Sequence, residues 1–93
     1  MNNKAILAIV RGRVQGVGFR YEARNFAKSL GICGWISNLP DGGVETFAEG
    51  HASAVDRYLQ WLHQGPPGAH VISVDVTEKP YSGTYTTFTI EFC

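Results

Sequence analysis

The segment Gly12-Arg13-Val14-Gln15-Gly16-Val17-Gly18-Phe19-Arg20 holds the residue types best suited to chemistry. Three glycines stand between an apolar run and the first turn of a helical pattern. Glycine tolerates φ > 0 and lets backbone N–H groups come close to a ligand. Several such groups turned inward make a concave anion site, and a helix N-terminus behind it adds unpaired donors and a favourable dipole. Arg20, in the first turn, can fold its planar five-donor guanidinium over the same cradle and hold two phosphate oxygens at once. A plainer account stays open: the glycines make only a tight turn, and Arg20 is a solvated charge. The Lys-Ser/Thr ending of a Walker loop and the G-x-G-x-x-G register of a dinucleotide loop are both missing.

Asn38 is the second residue of interest. It precedes Leu39-Pro40-Asp41-Gly42, where an asparagine side chain can simply start a turn, or can hold a water through its NH₂ and C=O groups. The remaining polar residues carry less. His51, His63 and His70 show no metal-ligand spacing with one another or with the cysteines, and they read as surface or helix-end residues. Asp41, Glu45 and Glu49 flank a hairpin and read as solvated charges. No Ser/His/Asp or Cys/His set is present. Trp35, Trp61 and Phe47 read as packing residues.

The elements that must position the loop follow from periodicity. Lys4 to Arg13 is apolar and partly β-branched, suited to a central strand buried on both faces. Phe19, Ala23, Phe26, Ala27 and Leu30 mark one helical face, and Gly31 supplies a C-cap. Ile32–Leu39 and Val44–Glu49 read as a hairpin around Pro40-Asp41-Gly42-Gly43. A second helix is predicted from Ala54 to His63, with Val55, Tyr58, Leu59 and Leu62 as its stripe, Ser53 and Asp56 as a capping pair, and Gly65-Pro66-Pro67-Gly68 as its stop. His70–Thr77 alternates with Ile72, Val74 and Val76 on one face. Thr84–Phe92 does the same with Phe88, Ile90 and Phe92. The order β-α-β-β-α-β plus one strand is the α+β, ferredoxin-like arrangement, with two helices on one face of a mostly antiparallel four- to five-stranded sheet. That fold hosts many functions and chooses none.

Composition sets the outer limits. The chain has 93 residues, a hydrophobic fraction of 44%, a charged fraction of 17% and no net charge, which suits one soluble domain over residues 1–93 and no broad nucleic-acid surface. The longest apolar run, Ala5–Val10, is too short to span a bilayer, and the polar start lacks an export signal, so a cytoplasmic monomer is expected. Cys33 and Cys93 lack C-x-x-C spacing and read as two thiols.

Both motifs are close to those of a known family. The sequence resembles the acylphosphatases, whose loop G-x-V-Q-G-V-x-[FM]-R matches Gly12 to Arg20. Their second signature matches Gly34, Trp35, Asn38, Gly42, Val44 and Gly50. The resemblance covers essentially the whole chain. It implies hydrolysis of acyl phosphates without cofactor or metal, giving carboxylate and inorganic phosphate, which would also inhibit competitively. It implies that Arg20 binds the phosphoryl group, that the backbone at Gln15, Gly16, Val17, Gly18 and Phe19 cradles it, and that Asn38 positions the attacking water. Ile36 and Ser37 depart mildly from the family pattern, where a smaller apolar residue and a longer, frequently basic one are usual. The resemblance also implies a last strand running antiparallel beside the second, which would let Cys33 face Cys93 in a disulfide. Two other readings are weaker. The same domain resembles the N-terminal part of hydrogenase-maturation carbamoyl transferases, but those are long multidomain chains. An RNA-recognition module shares the element order, but it would need basic and aromatic residues on strands that here read Ile6–Val10 and Val44–Ala48.

Overall fold

The computed structural model describes residues 2–92. Its elements are β1 (Asn3–Arg13), α1 (Phe19–Ser29), β2 (Cys33–Asn38), β3 (Val44–His51), α2 (Ala52–Leu62), β4 (His70–Lys79) and β5 (Phe88–Glu91). The strands form one sheet in the order β4-β1-β3-β2-β5. Both helices lie on the same face: α1 rests on β2 and β5, and α2 on β1 and β3. This is the expected ferredoxin-like α+β architecture.

The core lies between sheet and helices. Ile6, Ala8, Val10, Ile36, Val44 and Ala48 point from the sheet toward Phe19, Ala23, Ala27, Val55, Tyr58 and Leu62, and all are buried. Trp61 joins the helices, with its ring centroid 5.2 Å from Phe19 and 6.0 Å from Phe26. A polar link in this layer joins the Tyr58 and Thr46 hydroxyls, 2.8 Å apart, while Thr46 also donates to the Trp35 carbonyl. α1 ends as Gly31 suggests. Gly31 takes φ 72°, its N–H donates to Lys28 O, and Ile32 N–H donates to Ala27 O, the two bonds of a Schellman turn.

Several expectations are corrected. β1 is central but not buried on both faces: Leu7 and Ile9 are only half-buried, because no helix covers their side. In β4, the register with β1 slips between Arg11 and Gly12, so Ile72 is the extra residue of a bulge. It leaves the stripe with Val74 and is 75% exposed. Gly12 permits the close approach there: a Cβ on it would stand 2.2 Å from the His70 carbonyl oxygen. α2 starts earlier than expected, and its cap is His51 rather than the Ser53–Asp56 pair, with Nδ1 accepting from Ser53 N–H. β5 begins only at Phe88, and Phe92 is exposed instead of sharing a buried stripe.

The last strand is parallel to β2, not antiparallel. The connection Pro80–Thr87 explains this. It must cross about 19 Å from one sheet edge to the other at strand spacing, and it reaches about 26 Å when extended. So short a crossing forces β5 to start where β4 ends and to run back. Gly34 therefore faces Phe88 and Ser37 faces Glu91, which leaves Cys33 at the opposite end of β2 from the end of β5. The expected Cys33–Cys93 pairing involves Cys93, which lies outside the described residues.

The crossing also changes the reading of Glu49. It is not a solvated strand charge but is 2% exposed. Its carboxylate accepts from Ser82 N–H, Ser82 Oγ–H and Gly83 N–H at 2.9–3.0 Å. Beside it, Phe47 meets Tyr85 at a centroid distance of 5.2 Å. Glu49 thus pins the crossing to the face without helices.

Candidate active site

The glycine loop folds as an anion cradle requires. Gly16 and Gly18 take φ 75° and 78°, left-handed values that cost a residue with a Cβ but not glycine. Gly18 is also the N-cap of α1 and brings no side-chain acceptor. The first helical bond is Glu22 N–H to Gly18 O. Among the described residues, the N–H groups from Gln15 to Tyr21 find no protein acceptor, so the loop and the first helical turn offer a run of unused donors.

These donors border a pocket of about 150 Å³. Gln15, Gly16, Gly18, Phe19, Arg20 and Asn38 all line it. Val17, the other expected cradle residue, does not line it; its side chain turns to the core beside Gly68. Arg20 is half-buried and forms no ion pair or hydrogen bond among the described residues. Its guanidinium carbon sits 5.0 Å from the Phe92 ring centroid and 6.0 Å from that of Tyr21. Aromatic faces attract the cation without using its donors, so the fork stays available.

Asn38 ends β2 opposite Val44 and turns its amide toward the loop. Its Oδ1 is buried and has no hydrogen-bond partner. Such an atom costs free energy unless something donates to it. The hairpin that carries it is braced twice. Asp41 Oδ1 accepts from Gly43 N–H at 3.0 Å, and Asp41 Oδ2 accepts from Arg11 at 2.6 Å. The bond from Gly43, then that from Arg11, hold the Asp41 carboxyl below its usual range.

The sequence reading missed the side chain of Gln15. It leaves the pocket floor to its backbone, and its Nε2 donates to Leu39 O at 2.8 Å and to Gly43 O at 2.9 Å. One amide thereby ties the cradle to the hairpin that bears Asn38. A lone glutamine in a glycine loop carries no signal of this, because its partners come from a hairpin far along the chain. Phe92, a ring beside Arg20, was missed for the same reason; Tyr21 adjoins Arg20 in sequence, but nothing in that adjacency shows its ring lying near the guanidinium. Among the described residues, no group of three or more His, Cys, Asp and Glu side chains is placed to hold a metal. The arrangement joins oriented amides, a guanidinium and a water-sized polar anchor. It suits binding a phosphoryl group and delivering water to it.

A family model described as Acylphosphatase matches residues 6–90. The acylphosphatase of Acaryochloris marina is 54% identical over 72 residues, which are 77% of each chain. That of Methylococcus capsulatus is 47% identical over 87 residues, covering 94% of this chain and 95% of the relative. The solved structure of an acylphosphatase from Coxiella burnetii aligns with a TM-score of 0.91 at 37% identity, over 97% of this chain and 94% of that one.

Proposed function

The chain belongs to the acylphosphatase family, and on that premise we propose that Arg20 and the Gln15–Phe19 backbone bind the phosphoryl group while Asn38 directs the attacking water. The activity is hydrolysis of acyl phosphates to carboxylate and inorganic phosphate. The place of Asn38 on the same pocket as Arg20 and the loop, with its Oδ1 buried and unpartnered, carries the assignment of roles.

The chemistry asks little more of the protein. A phosphoryl group in flight spreads charge over three equatorial oxygens, and catalysis consists mainly of holding it and placing the nucleophile in line. Loop N–H groups and the Arg20 fork meet the oxygens. The Asn38 amide accepts one water hydrogen through Oδ1 and can donate through Nδ2, which fixes the water's position and orientation. The leaving carboxylate is a stable anion, so a strong general acid is not required. Charge neutralisation falls to backbone amides and arginine, and the reaction proceeds without metal or cofactor. The same reading takes residues 1–93 as one domain, a cytoplasmic monomer that its product phosphate inhibits competitively.

Phosphate release from benzoyl phosphate in excess EDTA tests the proposal. Activity should persist. Arg20→Ala should lower kcat/KM by about 10²–10³, as loss of one transition-state contact does. Arg20→Lys should not restore it, since an ammonium lacks the planar fork. Activity that vanishes on chelation and returns with Mg²⁺, or an Arg20→Ala enzyme of near-normal kcat/KM, would overturn it.

A further inference from the structure

The phosphate pocket has a neighbour. Tyr21 lines both that pocket and a groove of about 330 Å³ between α1 and β5. Arg24 and Lys28 line the helix side of the groove, Thr87 and Thr89 the strand side, and Phe92 the end beside Arg20. Among the described residues, no carboxylate lines it.

Arg20, Arg24 and Lys28 stand at i, i+4 and i+8, so they form one row on the helix surface. Like charges at this spacing repel and weaken a helix. Elsewhere Lys4 pairs with Asp56 and Arg11 with Asp41, while the separate cations Arg13, Arg57 and Lys79 have no ion pair among the described residues. Among the described residues, none of the three in the row has an acidic partner. Arg24 has one hydrogen bond, a long one of 3.4 Å to its neighbour Asn25. Its guanidinium carbon lies 5.5 Å from the Tyr21 ring centroid, so the guanidinium groups of Arg20 and Arg24 both lie within 6.0 Å of that ring. The row is an uncompensated cationic ridge that leaves the phosphate pocket along one helix face.

We propose that this groove is an acyl-group subsite, in which Arg24 and Lys28 favour acyl phosphates whose acyl group carries a second anion, a carboxylate or a phosphate. The proposal rests on the assignment of Arg20 to the phosphoryl group. With that group on Arg20, the acyl chain runs past Tyr21 and its far end meets Arg24, about 6 Å along the helix axis, with Lys28 a further turn beyond. Thr87 and Thr89 line the facing wall, the Thr89 hydroxyl already donating to Glu91 at 2.8 Å.

Two rigid probes test it: 4-carboxybenzoyl phosphate and 4-methylbenzoyl phosphate, which differ in a distal carboxylate against a methyl group. The readout is the ratio of their kcat/KM values. The enzyme should favour the carboxylate probe by about tenfold at low ionic strength, equivalent to about 1.4 kcal/mol, and added salt should shrink the ratio. Arg24→Gln with Lys28→Gln should bring the ratio to about one. Arg24→Lys should keep most of it, because the site needs charge there rather than a fork. A ratio near one in the unaltered enzyme would overturn the subsite, as would a ratio that survives the double substitution. Hydrolysis of neither probe would instead overturn the reading of the phosphate pocket, and the subsite with it.

Discussion

Gln15→Ala should separate the placing of the two halves of the site from their binding power. The substitution removes two hydrogen bonds to Leu39 O and Gly43 O. Neither carbonyl is left bare, because Leu39 O still accepts from Gly42 N–H and Gly43 O from Leu39 N–H. The loss is therefore near the ordinary net value of about 1 kcal/mol per bond, or about 2 kcal/mol in all. In a domain of this size each kcal/mol lowers Tm by about 4–8 °C, so a fall of roughly 10 °C is expected. The functional cost is larger in proportion. The cradle keeps its N–H groups and Arg20, so phosphate should bind nearly as before. Asn38 loses its tie to the cradle, and a misplacement of about 1 Å can cost on the order of 10² in rate. Gln15→Glu should be worse on both counts, since a carboxylate repels two carbonyls and the bound anion. Calorimetric phosphate titration, turnover and thermal unfolding on the same variants give the three quantities. A Gln15→Ala enzyme that melts lower but turns over normally would refute the positioning role. Equal loss of phosphate affinity and turnover would show that the side chain supports the cradle rather than its alignment.

Two further predictions concern stability. Burial pushes the Tyr58 phenol well above its usual range, while its bond with Thr46 acts the other way. The folded state then holds a proton that the unfolded chain releases near pH 10, so this stability is complete below pH 10 and falls by about 1.4 kcal/mol per pH unit above it. Tyr58→Phe should cost about 1 kcal/mol at neutral pH and show a shallower alkaline decline in urea titrations; an unchanged slope would contradict it. Glu49→Ala should cost about 2 kcal/mol or more by stripping partners from the Ser82–Gly83 crossing. It should leave turnover per folded molecule unaltered, because Glu49 lies about 17 Å along β3 from the Val44 end of the hairpin. A loss of kcat without a loss of stability would show the crossing to be coupled to the pocket.

What could be read from the sequence was local. The loop from Gly12 to Arg20, the apolar stripe of α1 and the Gly31 stop depend on neighbours within a few residues, and each takes the form its spacing implies. The sites that escaped depend on distant partners. Glu49 resembles any strand carboxylate until Pro80–Thr87 crosses over it. Ile72 alternates correctly with Val74 in sequence, and only the register slip between the Arg11–Ser73 and Gly12–Val71 pairs makes it a bulge. The direction of β5 is set by the short reach of its connection, not by any residue within it. Asn38 stands between these cases. Its position before a turn was visible, but its orphaned Oδ1 and its shared pocket with Arg20 required the sheet to bring β2 beside the loop.

The central claim is that Asn38 acts on the water and not on the phosphate. The most direct measurement pairs phosphate affinity with turnover in Asn38→Ala, with the melting temperature as control. Removing the amide leaves the Gln15–Arg20 cradle in place, so phosphate should bind with nearly unchanged affinity while kcat falls steeply, the pattern of an interaction made mainly in the transition state. An Asn38→Ala enzyme that turns over normally but melts lower would contradict the account and leave the asparagine as a turn residue.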